Sequence, residues 1–135
     1  MSGLDRQGRS VGQGNKNVIL CYRGIRSFES ETRFAADISM IPLVRQKSHL
    51  PLLADPSHSS GDKKLVERVA YGFVAAGSNG LEFDIHSNPA EALCDGKQAV
   101  GEAEASRIVG NCRQIHLSLQ GIGYETGKSQ LVAAH

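Results

Sequence analysis

Residues 50–58 read Leu-Pro-Leu-Leu-Ala-Asp-Pro-Ser-His, an apolar run that ends in charged, turn-forming and imidazole side chains. A short apolar run of this kind, bounded by turn residues, is typical of a buried strand. In β/α folds the carboxyl ends of the strands carry the chemistry, so Asp55 and His58 lie where functional residues are expected. This stretch decides the fold class, because the same arrangement recurs on both sides of it.

Two further segments repeat the pattern of an apolar run followed by polar, potentially functional residues. The first run leads into a pair of arginines, and the other leads into a carboxylate and a histidine. The strand starts at Val18, Leu50 and Leu81 are 32 and 31 residues apart, close to the roughly 31 residues per unit of an eight-unit β/α barrel. Because each link is long enough to hold a helix, we predict parallel strands covered by helices, in the order βαβαβα.

The links between the strands carry helical signals. Apolar residues at i, i+4 and i+7 predict a first crossover helix over residues 32–47, which Pro42 should end or kink. Residues 65–74 form an apolar stripe opposite charged residues and predict a second helix, with Gly77 as its stop. The spacing of the apolar residues further on predicts a third helix over about residues 102–117.

Length, composition and charge exclude several classes of protein. The chain has 135 residues and is 40% hydrophobic, so we expect one folded domain over residues 17–120, with a flexible leader at 1–16 and a loose tail at 121–135. The net charge is +1, and the Lys and Arg residues are spread along the chain, so they form no basic stripe for nucleic acid or for a membrane surface. No apolar run approaches 18 residues and the first 17 residues are polar, which predicts a cytoplasmic protein without a membrane anchor or signal peptide.

The cysteines argue against a disulfide framework and a structural zinc site. Cys21, Cys94 and Cys112 are an odd number and have no Cys-x-x-Cys spacing, so we expect free thiols. Cys21 ends an apolar strand, where a small buried side chain is the ordinary interpretation.

His58, Asp84 and Asp95 are the candidate ligands of a divalent metal. One imidazole and two carboxylates from strand ends and the following loop can converge at one edge of the sheet, and such mixed ligation suits Mn²⁺, Fe²⁺, Co²⁺ or Zn²⁺. The alternative is ordinary turn chemistry, in which His58 caps a turn and Asp95 precedes a turn glycine. The spacing of the residues leaves both interpretations open.

Arg23, Arg26 and Asp55 are the candidate substrate-binding residues. The two arginines flank Gly24 just past the first strand, where a guanidinium can grip a phosphate or carboxylate and glycine lets the ligand approach the backbone. The alternative is a solvated or salt-bridged pair of arginines.

Several motifs in register carry a resemblance over about residues 14–98. The matching segments are residues 14–29, 32–33, 37–39, 41–42, 49–51, 55–58, 80–81, 85–86, 89 and 92–98. They include Cys-Tyr-Arg-Gly at 21–24, Asp-Pro-Ser-His at 55–58 and Asp-Gly-Lys-Gln at 95–98. In this order they resemble the carboxyl-terminal part of the type I 3-deoxy-D-arabino-heptulosonate 7-phosphate (DAHP) synthases, which are related to 3-deoxy-D-manno-octulosonate 8-phosphate synthases.

The resemblance implies a partial (β/α)₈ TIM barrel, with about the last three β/α units present. It implies a metal-dependent condensation of phosphoenolpyruvate with erythrose 4-phosphate, at the first step of the shikimate route to aromatic amino acids. His58, Asp84 and Asp95 match three metal-ligand positions, and Arg23 matches an arginine that holds the phosphate of phosphoenolpyruvate. The metal, with Mn²⁺ as first choice, would polarise the aldehyde carbonyl of the sugar phosphate.

The chain also departs from the family pattern. Tyr22 and Asp84 stand where the family has Glu, and a cysteine ligand and upstream Lys and Arg contacts have no counterpart. Three strands cannot close the barrel and leave unpaired edges, so we expect an isolated chain without activity that self-associates or needs a partner supplying the missing strands. The alternative is a non-catalytic remnant that acts as a phosphate- or metal-binding or interaction module. Tyr22 and the missing half of the barrel favour this alternative, and the retained ligand set favours descent from an enzyme.

Overall fold

The computed structural model describes residues 14–26, 34–88 and 97–124. Its strands are β1 (Leu20–Tyr22), β2 (Leu52–Ala54) and β3 (Gly80–Leu81), and its helices are α1 (Met40–Lys47), α2 (Pro56–Ser60), α3 (Lys63–Ala75) and α4 (Glu102–Gly121). The strands form one sheet in the order β1-β2-β3, with both pairs parallel. The predicted parallel sheet and βαβαβα order are therefore confirmed.

The register of the strands gives the sheet two different faces. Leu20 pairs with Leu52, and Tyr22 pairs with Ala54, and all four side chains are buried in a core shared with helices α1 and α3. Because side chains alternate along a strand, Cys21 belongs to the opposite face. The ladder continues one residue past β2, where the Asp55 N–H donates to the Tyr22 carbonyl at 2.8 Å. Asp55 is thereby placed on the face opposite the helices, at the carboxyl edge of the sheet.

Helix α3 forms where the apolar stripe predicted it. Phe73 is fully buried on the sheet side, where its ring meets that of Tyr22 edge-on with centroids 5.8 Å apart. Residues of α3 and α4 form a second core cluster, which contains Val66, Ala70, Val74, Ala105, Ile108 and Cys112. Gly77 adopts a φ of 100°, and the N–H groups of Gly77 and Ser78 bond to the carbonyls of Val74 and Phe73. This Schellman arrangement confirms the predicted glycine stop.

Helix α1 begins later than predicted. Residues 34–39 are not helical, because Ala35 and Ile25 exchange two backbone hydrogen bonds of 3.0 and 2.7 Å in an antiparallel bridge. Helix α1 starts at Met40, and Pro42 lies in its first turn, where an N–H group has no intrahelical partner to lose. The prediction that Pro42 ends or kinks the helix is therefore wrong.

Two other features of the helices were not predicted. The short helix α2 follows Asp55, which acts as its N-cap, with Pro56 at the first helical position. Helix α4 continues to Gly121, four residues past the expected end near Leu117. Most of the predicted leader (1–16) and of the predicted tail (121–135) lies outside the described residues, at 1–13 and 125–135, and Gly121 is still part of α4.

None of the helices within residues 14–26, 34–88 and 97–124 is long and apolar enough to cross a membrane. The cytoplasmic location stays a prediction.

We expect Gly24→Ala to destabilise the fold beside the candidate site. Gly24 has a φ of +89°, and an added Cβ would lie 2.9 Å from the Phe34 Cβ and 3.0 Å from the Ala35 carbonyl oxygen. The left-handed backbone and the overlap together should lower the free energy of unfolding by about 2 kcal/mol or more.

Urea unfolding measures this, with Gly110→Ala as the control. Gly110 lies within α4 and has nothing within 4 Å of an added Cβ, so that variant should gain up to about 1 kcal/mol. A Gly24→Ala variant as stable as the parent would contradict the described turn.

Candidate active site

Asp55 is the centre of a polar cluster at the carboxyl edge of the sheet. Its side chain is 1% exposed. Oδ1 accepts the backbone N–H of His58 at 2.8 Å, and Oδ2 lies 2.6 Å from His58 Nδ1 and accepts from Arg23 Nε at 3.2 Å. Since a carboxylate can only accept, Nδ1 carries the proton in this pair. One buried carboxylate thus fixes both the ring of His58 and the guanidinium that follows β1.

Burial and hydrogen bonding act on Asp55 in opposite directions. Loss of solvent raises the pKa of Asp55, while the backbone N–H and the imidazole of His58 counteract part of that rise, and the nearby Asp84 carboxylate adds to it. The Arg23 side chain is 55% exposed, so its ion pair with Asp55 contributes little to stability. The site therefore holds a carboxylate whose charged form is stabilised by a few specific donors.

Asp84 lies next to His58 and is held at both its backbone and its side chain. Its Oδ2 is 3.5 Å from His58 Nδ1 and accepts from Gln98 Nε2 at 2.7 Å. Its backbone N–H donates to Ser57 Oγ at 3.1 Å. Both partners are buried, Ser57 fully and Gln98 to 2% exposure. Sequence reasoning assigned no role to Ser57 or Gln98, although both stand in motifs that carry the family resemblance.

The structure brings together two of the three predicted metal ligands. His58 and Asp84 are neighbours, whereas Asp95 lies outside the described residues. Within residues 14–26, 34–88 and 97–124, no group of three or more His, Cys, Asp or Glu side chains is arranged to hold a metal ion. An imidazole beside carboxylates is nevertheless a donor set that suits Mn²⁺, Fe²⁺, Co²⁺ or Zn²⁺. The metal site stays a prediction, supported by the chemistry of the described pair.

The predicted substrate-binding residues differ in their surroundings. Arg23 and Arg26 are both exposed, and Arg23 is oriented at the edge of the sheet by Asp55. Asp55 itself is buried, and its described contacts are those of a residue that orients Arg23 and His58. The substrate-binding roles of these three residues stay predictions.

Tyr22 does not lie beside the candidate site. Its side chain is buried on the helix-covered face, where the ring packs on Phe73 and the hydroxyl accepts the backbone N–H of Asp37 at 2.9 Å. Burial raises the pKa of Tyr22, so it is a neutral core residue. The position where the family has Glu therefore faces away from Arg23, because alternation along β1 sends the two side chains to opposite faces.

Cys21 is a partnered thiol and lies on the face opposite the helices. Its Sγ donates to Glu82 Oε2 at 3.1 Å. Burial, followed by the bond to Glu82, raises the pKa of Cys21 to about 12, so the thiol stays protonated near neutral pH. Cys21 and Cys112 are both free thiols, as predicted. Cys112 is buried between α3 and α4, whereas Cys21 is only partly buried, which differs from the buried side chain expected there. Cys94 lies outside the described residues.

Residues 4–116 match the family model described as the DAHP synthetase I family. A phospho-2-dehydro-3-deoxyheptonate aldolase from Thermotoga maritima is 48% identical over 87 residues, which are 64% of this chain and 26% of the relative. A 2-dehydro-3-deoxyphosphooctonate aldolase from Geotalea daltonii is 34% identical over 104 residues, which are 69% of this chain and 37% of the relative.

Solved structures of DAHP synthase from Thermotoga maritima give the same result for the fold. In one of them the match covers 81% of this chain and 32% of the solved chain, with 40% sequence identity and a TM-score of 0.77. A truncated form matches with the same TM-score, and the chain covers 42% of it. The described sheet and helices therefore form a partial (β/α)₈ barrel. The chain spans about a quarter to two fifths of the length of these relatives.

Proposed function

Because the chain belongs to the DAHP synthetase I family, we propose that it carries the carboxyl-edge portion of a site that condenses phosphoenolpyruvate with erythrose 4-phosphate. The observation that supports this proposal is the convergence of Arg23, Asp55, His58 and Asp84 at one edge of the sheet. These side chains come from three separate β/α links, and only the parallel fold brings them together. In β/α barrels that edge is where active sites are built.

His58 and Asp84 are the proposed metal-holding residues among those described, with Asp95 as the third ligand and Mn²⁺ as the metal. His58 Nδ1 keeps its proton and donates a hydrogen bond to Asp55 Oδ2, so in the neutral imidazole the lone pair lies on Nε2, the nitrogen that would hold the metal. When bound, the metal supplies a Lewis acid for the aldehyde carbonyl of erythrose 4-phosphate. Asp55 contributes by fixing the ring and its tautomer.

Arg23 is the proposed contact for the phosphate group of phosphoenolpyruvate. Its side chain is more than half exposed, yet its Nε is anchored by a buried carboxylate, which limits the orientations of the guanidinium. An oriented guanidinium can form two parallel hydrogen bonds to phosphate. Gly24 follows directly, and its lack of a side chain lets Phe34 and Ala35 approach the backbone, which shapes the turn after Arg23.

The alternative of a non-catalytic binding module is not favoured. One of its two supports in the sequence was Tyr22, and that side chain lies in the core on the other face of the sheet. The residues with proposed roles in the enzyme are instead held in a connected network by Asp55 and Gln98. Such support is what a preorganised site requires.

We expect Arg23→Lys to weaken phosphoenolpyruvate binding by about 10-fold or more, because lysine cannot form the two-pronged hydrogen bond and a charged hydrogen bond contributes about 1.5–3 kcal/mol. Titration calorimetry with phosphoenolpyruvate measures this, and Arg26→Lys is the matched control, which should bind like the parent. Strong loss in Arg26→Lys with none in Arg23→Lys would assign the role to the other arginine. A parent chain that binds no phosphoenolpyruvate would refute the proposed site in this chain.

A further inference from the structure

Gln98 is the polar residue that fixes the side chain of Asp84. We infer that Gln98 is a positioning residue, whose amide fixes the Asp84 carboxylate beside the His58 ring and so holds Asp84 ready to bind a divalent cation. This inference rests on the proposed function for the cation, but the contact itself exists without one. Gln98 Nε2 donates to Asp84 Oδ2 at 2.7 Å, and that same oxygen is 3.5 Å from His58 Nδ1.

The backbone around Gln98 is anchored so that its side chain has little freedom. Ile85 and Val100 form a parallel bridge, in which the Val100 N–H donates to the Asp84 carbonyl at 2.9 Å and the His86 N–H donates to the Val100 carbonyl at 3.1 Å. On the other side, the carbonyl of Lys97 accepts the N–H of Lys63 at the start of α3. The Gln98 side chain is 2% exposed. A buried amide between two anchored points is a rigid donor.

The chemistry of an amide suits this position better than that of a cation. An amide N–H orients a carboxylate and leaves its negative charge in place, whereas a lysine or arginine would neutralise the charge that attracts a metal. Ser57 holds the Asp84 backbone, also with a neutral group, because its Oγ accepts the Asp84 N–H. Neutral partners that hold a ligand in place are typical of the outer shell of metal sites, and their loss costs about 10–100-fold in metal affinity.

The first test needs no metal. In ¹⁵N-resolved NMR spectra of the metal-free chain, the Gln98 side-chain amide should show a downfield-shifted proton that exchanges slowly with solvent, as expected for a buried bond to a carboxylate. Asp84→Ala removes the acceptor and should return that signal to the range of an unbonded glutamine. A Gln98 amide that exchanges quickly in the parent, or a signal unchanged in Asp84→Ala, would overturn the inference.

The second test uses Mn²⁺ and a matched pair of variants. Gln98→Met keeps the size of the side chain and removes the donor, and we expect its Mn²⁺ affinity by calorimetry to fall by about 10-fold or more. Gln114→Met makes the same change on the exposed surface of α4 and should bind like the parent. We expect Gln98→Met to unfold at a lower temperature because it loses a buried hydrogen bond to a carboxylate. Both affinities are therefore measured well below that temperature, where weaker Mn²⁺ binding by a folded variant indicates positioning. Unchanged affinity in Gln98→Met would overturn the inference. If the parent binds no Mn²⁺, the metal in the proposed function fails, and the NMR result alone decides whether Gln98 positions Asp84.

Discussion

Replacing His58 by alanine should reduce Mn²⁺ binding by at least roughly 100-fold, because the imidazole is the neutral nitrogen ligand proposed for the site and a side chain bonded to the metal matters more than its outer-shell partners. The His58 ring also lies beside two carboxylates, since its Nδ1 is 2.6 Å from Asp55 Oδ2 and 3.5 Å from Asp84 Oδ2. Without it the two acidic groups lose their common partner. Calorimetry with Mn²⁺ measures the effect directly.

The fold should survive the His58→Ala change, and this makes the prediction interpretable. The backbone N–H of residue 58 still donates to Asp55 Oδ1, so the N-cap of α2 is retained. His49→Ala is the matched control, because His49 is exposed and precedes β2 at the opposite edge of the sheet. Binding of Mn²⁺ by His58→Ala at the level of His49→Ala would remove His58 from the proposed site.

The second large effect concerns the isolated chain, which should self-associate and show no measurable condensation of phosphoenolpyruvate with erythrose 4-phosphate. Within the described residues β1 and β3 each pair with β2 alone, so the sheet has two open parallel edges. Correct positioning of reactants contributes about 7–11 kcal/mol to an enzymatic rate, and three strands supply only part of that positioning. Light scattering and a phosphoenolpyruvate-consumption assay with Mn²⁺, run on the same sample, measure both properties. A monodisperse monomer that turns over like a full-length relative would contradict the strand count.

The parts of the fold that depend on local patterns could be predicted from the sequence. The apolar stripe of α3 and the glycine stop at Gly77 agree with the structure because helix burial and helix ends depend on nearby residues. The apolar runs identified the strands, and the length of the links between them implied that the strands are parallel. Asp55 followed by Pro56 is also a local signal for the start of a helix, an N-cap residue before a proline, and it could have predicted α2.

The remaining features depend on contacts between distant residues. Helix α1 starts late because Ala35 pairs with Ile25, and no local periodicity contains that pairing. The role of Gln98 depends in the same way on the bridge between Ile85 and Val100. The face on which Tyr22 lies was predictable from strand alternation, but a comparison with the family by position alone does not include orientation.

The most direct measurement is the activity of a chimera in which residues 14–124 of this chain replace the matching segment of the Thermotoga maritima DAHP synthase. The two sequences are 40% identical over the structurally matched part. The rest of that barrel supplies the strands that pair with β1 and β3. We predict that the chimera consumes phosphoenolpyruvate in the presence of erythrose 4-phosphate and Mn²⁺, and that His58→Ala in the chimera abolishes the reaction while His49→Ala does not. A folded chimera without turnover, or one whose turnover survives His58→Ala, would contradict the proposal that this chain carries the metal-holding edge of the site.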